Sequence, residues 1–165
     1  TIMLVQHIVD TPIGWMLLEG SVNEIIRSFW INEEDAIVGA SAIKATWAKE
    51  SEQQIKAYFE GERKQFNLPL GFQGTAFQMQ IWNHLLTIPF GSTSTYGKLA
   101  HMHGNKNLSQ AVGGAVGANP LLLIVPCHRI IGSDGSLTGY AGGMQRKQFL
   151  LEHEGAFHPE QLRLF

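Results

Sequence analysis

The chain has a single cysteine, Cys127, in the run Pro126-Cys127-His128-Arg129. A cysteine attacks as its thiolate, and cationic or hydrogen-bonding neighbours lower its pKa toward that form. His128 and Arg129 are such neighbours, and an apolar interior does not accept either of them unpaired. A histidine that acts as a base also needs a group to fix its tautomer and stabilise the imidazolium, usually a carboxylate. Glu154, in Leu150-Leu151-Glu152-His153-Glu154-Gly155, is the best placed. Taken singly, each residue has a blander reading. A lone cysteine beside an apolar run is usually an inert buried thiol, a histidine is usually a satisfied structural group, and a helix-terminal glutamate is usually solvated. Together they point to a reactive sulfur served by an imidazole and a carboxylate.

These groups must be positioned by the elements around them. Leu121-Leu122-Leu123-Ile124-Val125 is a continuous apolar run and reads as an extended, buried segment with Cys127 at its end. Successive side chains of an extended segment point to opposite faces, so Cys127 and His128 would communicate through a bridging water. Glu154 falls at the end of a helix that begins near Met144 and is closed by Gly155. Upstream, Thr75 and Gln78 form a capping box for a helix whose stripe is Phe77, Ile81, Trp82, Leu85 and Leu86, ending before Pro89. A second helix runs from about Thr95 to Gly104 and carries Tyr96, Leu99 and Ala100. A third, Ser109–Val116, follows at once, and the tight junction between them suggests a helix-turn-helix. Its Gly113-Gly114 pair costs about 1 kcal/mol per glycine relative to alanine. Two explanations stand equally: close approach of another backbone, or tight packing against a neighbouring helix.

The first half has a different texture. Apolar stretches at Ile2–Val5 and Trp15–Leu18 flank Thr11-Pro12-Ile13-Gly14 and read as two strands joined by a turn, with a third strand over Glu24–Ile31. Residues 39–60 read as a helix, with Ser51 and Gln54 as a capping box and Ile55, Tyr58 and Phe59 on one face. Pro and Gly interrupt the pattern at Asn67-Leu68-Pro69-Leu70-Gly71, which divides the chain into residues 1–70 and 71–165.

Composition narrows the function classes. With 44% hydrophobic and 16% charged residues the 165-residue chain can build a packed core. No apolar run has the length of a membrane span and no signal-peptide pattern opens the sequence, so a soluble, cytoplasmic protein is expected. One cysteine forms no internal disulfide, and no cysteine cluster offers one of the usual structural zinc sites. The net charge of −2 argues against a protein that coats nucleic acid by bulk electrostatics. Its distribution is uneven: residues 1–70 hold six Lys/Arg and ten Asp/Glu, whereas 71–165 hold six and four, with six of the seven histidines. Any DNA contact is expected in the second half.

The run Ile124-Val125-Pro126-Cys127-His128-Arg129-Ile130-Ile131-Gly132 resembles the active-site signature of the O6-alkylguanine-DNA alkyltransferases, the methylated-DNA-protein-cysteine methyltransferases. The likeness continues through Gly139-Tyr140-Ala141-Gly142-Gly143 to Leu150–Gly155, and includes Ala111–Ala115 and Gly117-Ala118-Asn119-Pro120. It is strong from about residue 75 to 155 and looser before. The resemblance implies a ribonuclease-H-like α/β domain followed by a winged-helix-like domain that holds the site. It implies a single-turnover repair enzyme, monomeric without DNA, acting on double-stranded DNA with an alkylated guanine and approaching through the minor groove. Cys127 is then the alkyl acceptor, His128 the base acting through water, Glu154 its orienting carboxylate, and Asn119 a brace for the cysteine region. Tyr96 contacts the phosphate beside the lesion and helps rotate the base. The helix carrying Ser109, Gln110, Ala111 and Gly113 enters the groove. Tyr140 walls the guanine pocket, Ser133 and the Ile130 backbone read the base edge, and Arg129 and Ala141 complete the lesion-binding set. Two positions depart from the pattern. Gln110 stands where most members have an arginine that fills the space of the flipped base, and it brings no charge or guanidinium plane. Ala141 replaces a hydroxyl found in some members.

Three other functions remain to be separated. A non-repairing sensor of alkylated DNA lacks the acceptor cysteine. A Cys-His hydrolase turns over repeatedly through a thioester and needs no glycine-rich helix. A transcription regulator shows more base-reading side chains than this segment supplies.

Overall fold

The computed structural model describes residues 4–38 and 44–157, and the chain divides into two units, Thr1–Gln73 and Gly74–Phe165. The expected strand near Ile2 lies partly outside the described residues, as does the start of the helix expected from residue 39.

In the first unit, β1 (Val5–Thr11), β2 (Gly14–Gly20) and β3 (Ile25–Ile31) form an antiparallel sheet in the order β1-β2-β3. The hairpin closes on Pro12-Ile13, with Thr11 paired to Gly14 and the Thr11 hydroxyl donating to the Gly14 carbonyl at 2.6 Å. The β2–β3 connection needs glycine at position 20, because a Cβ there would collide with the Glu24 carbonyl. A short helix, α1 (Glu33–Val38), follows β3, and α2 (Ala48–Phe59) packs on the sheet. Val5, Val9, Met16, Leu18, Ile25, Ile55, Tyr58 and Trp47 make the apolar core of this unit.

The start of α2 corrects the sequence reading. Residues 44–47 are not helical, because tertiary hydrogen bonds hold them as a turn: the Trp47 indole donates to the Ser21 carbonyl at 3.0 Å and the Thr46 amide to that of Val22 at 2.8 Å. Ser51 lies inside the helix with its hydroxyl donating to the Ala48 carbonyl at 2.9 Å, so Ser51 and Gln54 are not a capping box. Gln54 instead exchanges two hydrogen bonds with the Asn67 backbone, at 3.0 and 2.9 Å, and pins the chain that leaves the helix.

In the second unit, α3 (Ala76–Leu85) starts at the expected box, Thr75 and Gln78 bonding reciprocally at 3.1 and 3.0 Å. Ile81, Trp82 and Leu85 are buried, and the Trp82 indole donates to the Ala115 carbonyl at 2.9 Å. Leu86, just past the helix, is exposed, which removes it from the stripe. β4 (Ser94–Thr95) leads into α4 (Tyr96–His103), which is capped by Thr95 and stopped by left-handed Gly104. A 3-10 turn, Lys106–Leu108, joins α4 to α5 (Ser109–Gly117). β5 (Ile130–Ile131) pairs in parallel with β4, which brings the cysteine turn beside the start of α4. The last element is α6 (Met144–His153), after which Gly155 takes the left-handed conformation.

The Leu121–Val125 run is buried as expected, but it is a tight turn and not an extended segment. The Val125 amide donates to the Leu121 carbonyl at 2.9 Å, and Leu123 is left-handed at φ +74°. Asn119 makes this turn possible. Its side chain accepts from the Leu121 amide and donates to the Val125 carbonyl, both at 2.9 Å, so buried backbone groups that would otherwise go unpaired are satisfied.

Candidate active site

The turn ends in a single 3-10 turn, Cys127–Arg129, whose three side chains are all buried. His128 has no exposed surface, and its Nε2 lies 2.8 Å from Glu154 Oε2. Arg129 grips the same carboxylate twice, Nε to Oε1 at 2.8 Å and Nη2 to Oε2 at 3.1 Å, and donates from Nη1 to the Ile88 carbonyl at 2.6 Å. Arg129 therefore serves as the clamp on Glu154, and its guanidinium is committed before any lesion arrives. Burial alone would raise the Glu154 pKa, but the hydrogen bonds from His128 and Arg129 outweigh it and bring it down to about 2. Glu154 is thus an anion that accepts from Nε2, which puts the proton of the neutral ring on Nε2 and the lone pair on Nδ1. Nδ1 is buried and has no hydrogen-bond partner among the described residues. Burial also lowers the His128 pKa, against the opposing pull of Glu154, so the ring is neutral near pH 7. The result is an oriented imidazole with its basic nitrogen uncommitted.

Cys127 is 6% exposed, and burial pushes its thiol pKa up to about 11, while the Asn119 hydrogen bond and the charge of Lys147 work in the opposite direction. The sulfur therefore rests as a thiol and needs a base to become a nucleophile. It opens on a cavity of ≈ 300 Å³ lined by Tyr96, Gly113, Val116, Gly117, Gly139, Tyr140 and Ala141. That volume is at the lower end of the ~300–1,000 Å³ typical of small-molecule sites. The Tyr140 ring meets the His128 ring edge-on at 6.3 Å, and burial raises the Tyr140 pKa well above its ordinary value, so its hydroxyl stays protonated.

The residues singled out in the sequence divide cleanly. Cys127, Tyr96, Gly113, Tyr140 and Ala141 meet at the cavity, Asn119 hydrogen-bonds the thiol, and His128, Arg129 and Glu154 form one hydrogen-bonded cluster. Ser109, Gln110 and Ala111 lie on the first turn of α5, with Gln110 and Ala111 exposed. Ser133 is exposed on the loop after β5. The Ile130 backbone is already engaged, its amide donating to the Cys127 carbonyl and its carbonyl accepting the Lys147 ammonium at 2.6 Å, so only a second carbonyl lone pair is left for a base. Two groups escaped the sequence reading. Lys147 has no exposed surface, and Thr138 bonds both Lys147 and Tyr96. A lysine between Arg146 and Gln148 gives no local sign of burial.

The glycine pair of α5 is also resolved. A Cβ on Gly114 would meet nothing within 4 Å, and one on Gly113 would rest at an ordinary 3.8 Å from the Tyr96 ring. Packing against the described residues of this unit does not require either glycine.

A lone thiol that opens on a cavity and is backed by a carboxylate-oriented imidazole defines a thiol-dependent transfer site. The family description for the DNA binding domain of 6-O-methylguanine DNA methyltransferase matches residues 76–156, and that for its ribonuclease-like domain matches residues 4–72. A methylated-DNA-protein-cysteine methyltransferase of Methanosarcina acetivorans is 43% identical over 151 residues, covering 90% of this chain and 97% of the relative. The crystal structure of Mycobacterium tuberculosis O6-methylguanine methyltransferase is 39% identical, with a TM-score of 0.82 and 99% of each chain covered. Mycobacterium tuberculosis OGT in complex with DNA is 39% identical with a TM-score of 0.81, covering 97% of this chain and 98% of that one. The chain belongs to the 6-O-methylguanine DNA methyltransferase family.

Proposed function

We propose that this protein repairs DNA by direct reversal, moving the alkyl group of an O6-alkylguanine onto Cys127 in a single turnover. The observation that carries this reading is the pairing of the chain's only thiol, at the mouth of a cavity, with an imidazole whose Nδ1 is uncommitted and whose Nε2 is held by an anionic carboxylate. The Cys127 proton passes to His128 Nδ1 through a water molecule. Glu154, fixed as an anion by Arg129, stabilises the imidazolium and accepts no proton itself. The thiolate attacks the alkyl carbon in line, the S–C bond forms, and the O6–C bond breaks with its electron pair left on the base. The thioether is stable, so the protein is consumed.

The substrate is double-stranded DNA approached through the minor groove by residues 71–165. The atom attacked is inaccessible in a stacked duplex, so the nucleotide must be extruded. In this reading the α5 face of Ser109, Gln110, Ala111 and Gly113 presses into the groove, where missing side chains permit close contact. Tyr96 guides the rotating nucleotide, Tyr140 and Ala141 wall the base, and Ser133 with the Ile130 carbonyl reads its edge. Asn119 holds the turn that aims the sulfur. No metal or cofactor enters the reaction. The protein acts as a monomer before it meets DNA, in the cytoplasm, where a free thiol stays reduced. Among the described residues no helix is long and apolar enough to cross a membrane.

The test is to mix the protein with a duplex carrying O6-methylguanine and map the peptides by mass. One methyl on the Cys127 peptide and an unmodified guanine in the product duplex are expected. Intact lesion with unmodified Cys127 overturns the reading.

A further inference from the structure

The clamp on Glu154 has a back wall to which the mechanism gives no task. Between α3 and β4 the chain turns at residues 88–91, and three of these four face the clamp. The Ile88 carbonyl accepts from Arg129 Nη1 at 2.6 Å. The same guanidinium lies over the Phe90 ring, its Cζ 5.9 Å from the centroid, within the ~6 Å reach of a cation–π contact. Gly91 passes the end of α6 so closely that a Cβ would stand 3.2 Å from the Glu154 carbonyl oxygen, and its φ of +85° also favours glycine. The turn is itself fixed, because the Pro89 carbonyl accepts from both the Ser92 amide and the Ser92 hydroxyl, at 3.2 and 2.8 Å. Phe90 is half-buried and meets the His153 ring edge-on at 6.3 Å.

We infer that Phe90 is a positioning residue for alkyl transfer: its ring, carried by the 88–91 turn, holds the Arg129 guanidinium on Glu154 and keeps water from the pair, so that the carboxylate stays aimed at His128 Nε2. This rests on the alkyl-transfer reading above, in which a neutral His128 takes the Cys127 proton. The three hydrogen bonds of Arg129 use donors that lie in the guanidinium plane. They fix its orientation, and the apolar ring beside it excludes water that would compete for the same carboxylate. The charged and titratable groups around His128 are Glu154 and Lys147 from α6, Arg129 and Cys127 from its own turn, and Tyr140 from the loop that follows. Of these, Phe90 reaches Arg129. Burial and, behind it, the Arg129 charge both disfavour a protonated His128. Water admitted in place of the ring would relieve the first and screen the second. Both changes favour the imidazolium, so the base is spent over more of the pH range and transfer slows first on the acid side.

The experiment uses the full chain and reads the single-turnover rate constant at saturating O6-methylguanine duplex against pH, with duplex affinity and urea stability measured separately. Phe90→Leu keeps apolar bulk and removes the ring. Its acid limb should move up by about half a pH unit or more, a loss of about threefold below the limb relative to the alkaline plateau, which itself stays within about threefold of wild type. Phe90→Tyr keeps the ring, with its hydroxyl toward solvent, and should reproduce the wild-type limb. Nitrogen NMR of the His128 ring should show the same upward movement in the leucine variant alone. If that variant does not fold, Phe90→Met removes the ring with a more adaptable side chain and carries the same expectations. An unmoved limb in the ring-free variant, even with a rate lowered equally at every pH, overturns the inference and leaves alkyl transfer intact. A tyrosine variant that behaves like the leucine one does the same. Wild-type protein that transfers nothing overturns both.

Discussion

The two units spend their buried polar groups differently. Among the described residues of the first unit, Glu19 is the only buried Asp, Glu, Lys, Arg or His, and it forms a cluster with Gln6 at 2.8 Å and a half-exposed Arg27 at 3.3 Å. The remaining buried polar residues there, Thr11, Ser28, Ser51 and Gln54, are neutral. The second unit buries His128, Arg129, Lys147 and Glu154 around one cysteine. Burying a charge costs several kcal/mol unless it is paired and hydrogen-bonded, and even a well-made buried pair often stabilises no more than apolar residues would. Stability therefore does not explain the second cluster, whereas the proposed alkyl transfer, which needs an oriented base, does.

The sharpest way to break this contrast is to truncate the two glutamates. Glu154→Ala strands a buried Arg129 and should cost about 3–5 kcal/mol in urea unfolding, whereas Glu19→Ala should cost about 1 kcal/mol or less because its partner is half in solvent. Equal costs would erase the difference between the units. Acid should reveal the same asymmetry. The Glu154 pKa is depressed from 4.5 to about 2, a difference that corresponds to about 3 kcal/mol of stability, fully present above pH 4.5 and lost as the pH falls toward 2. His128 acts in the same direction from higher pH. Its folded pKa lies below 6.5, so the unfolded chain takes up a proton first and stability starts to decline as the pH drops through 6.5. A stability curve that is flat from pH 7 to 4 would contradict this.

Smaller effects sharpen the comparison at α5, the helix proposed to meet DNA. Gln110→Arg adds a charge to an exposed first turn and should tighten lesion-duplex binding by about three- to tenfold, with a steeper salt dependence, in a gel-shift titration. No gain would mean that α5 is anchored by other means. Gly114→Ala, with nothing within 4 Å of the new methyl, should stabilise the protein by about 0.5–1 kcal/mol and yet weaken DNA binding. If both quantities improved, the glycine would have no part in close approach.

Much of this organisation is written in local signals. The box at Thr75 and Gln78, the caps at Thr95 and Gly104, and Gly155 after α6 each depend on residues a few positions apart, and all formed as read. The cysteine, its histidine and Glu154 were legible because their chemistry is unusual in combination, and the structure brings His128 and Glu154 to 2.8 Å. What escaped depends on partners far along the chain. Trp47 is held off the helix by Ser21, and Leu121–Val125 is folded back by Asn119. The resemblance places Arg129 in the lesion-binding set, but Glu154, 25 residues away, claims its guanidinium. Lys147 carries no local sign of burial because its carbonyl partners, at Ile130 and Thr138, lie 17 and 9 residues away. Val116, Gly117 and Gly139 line the cavity without any chemical signature at all.

Leu123 closes the account of how the sulfur is aimed. Left-handed backbone costs a branched side chain about 1–2 kcal/mol, and Leu123 adopts it at φ +74° while remaining 1% exposed. Burying such a side chain gains about 1.5–3 kcal/mol, enough to hold the backbone in that posture. A glycine would relieve the torsion and withdraw the plug in one change, leaving the surrounding helices sound but the nucleophile unsteady. The placement of Cys127 thus depends in part on a buried apolar side chain that carries no chemistry of its own.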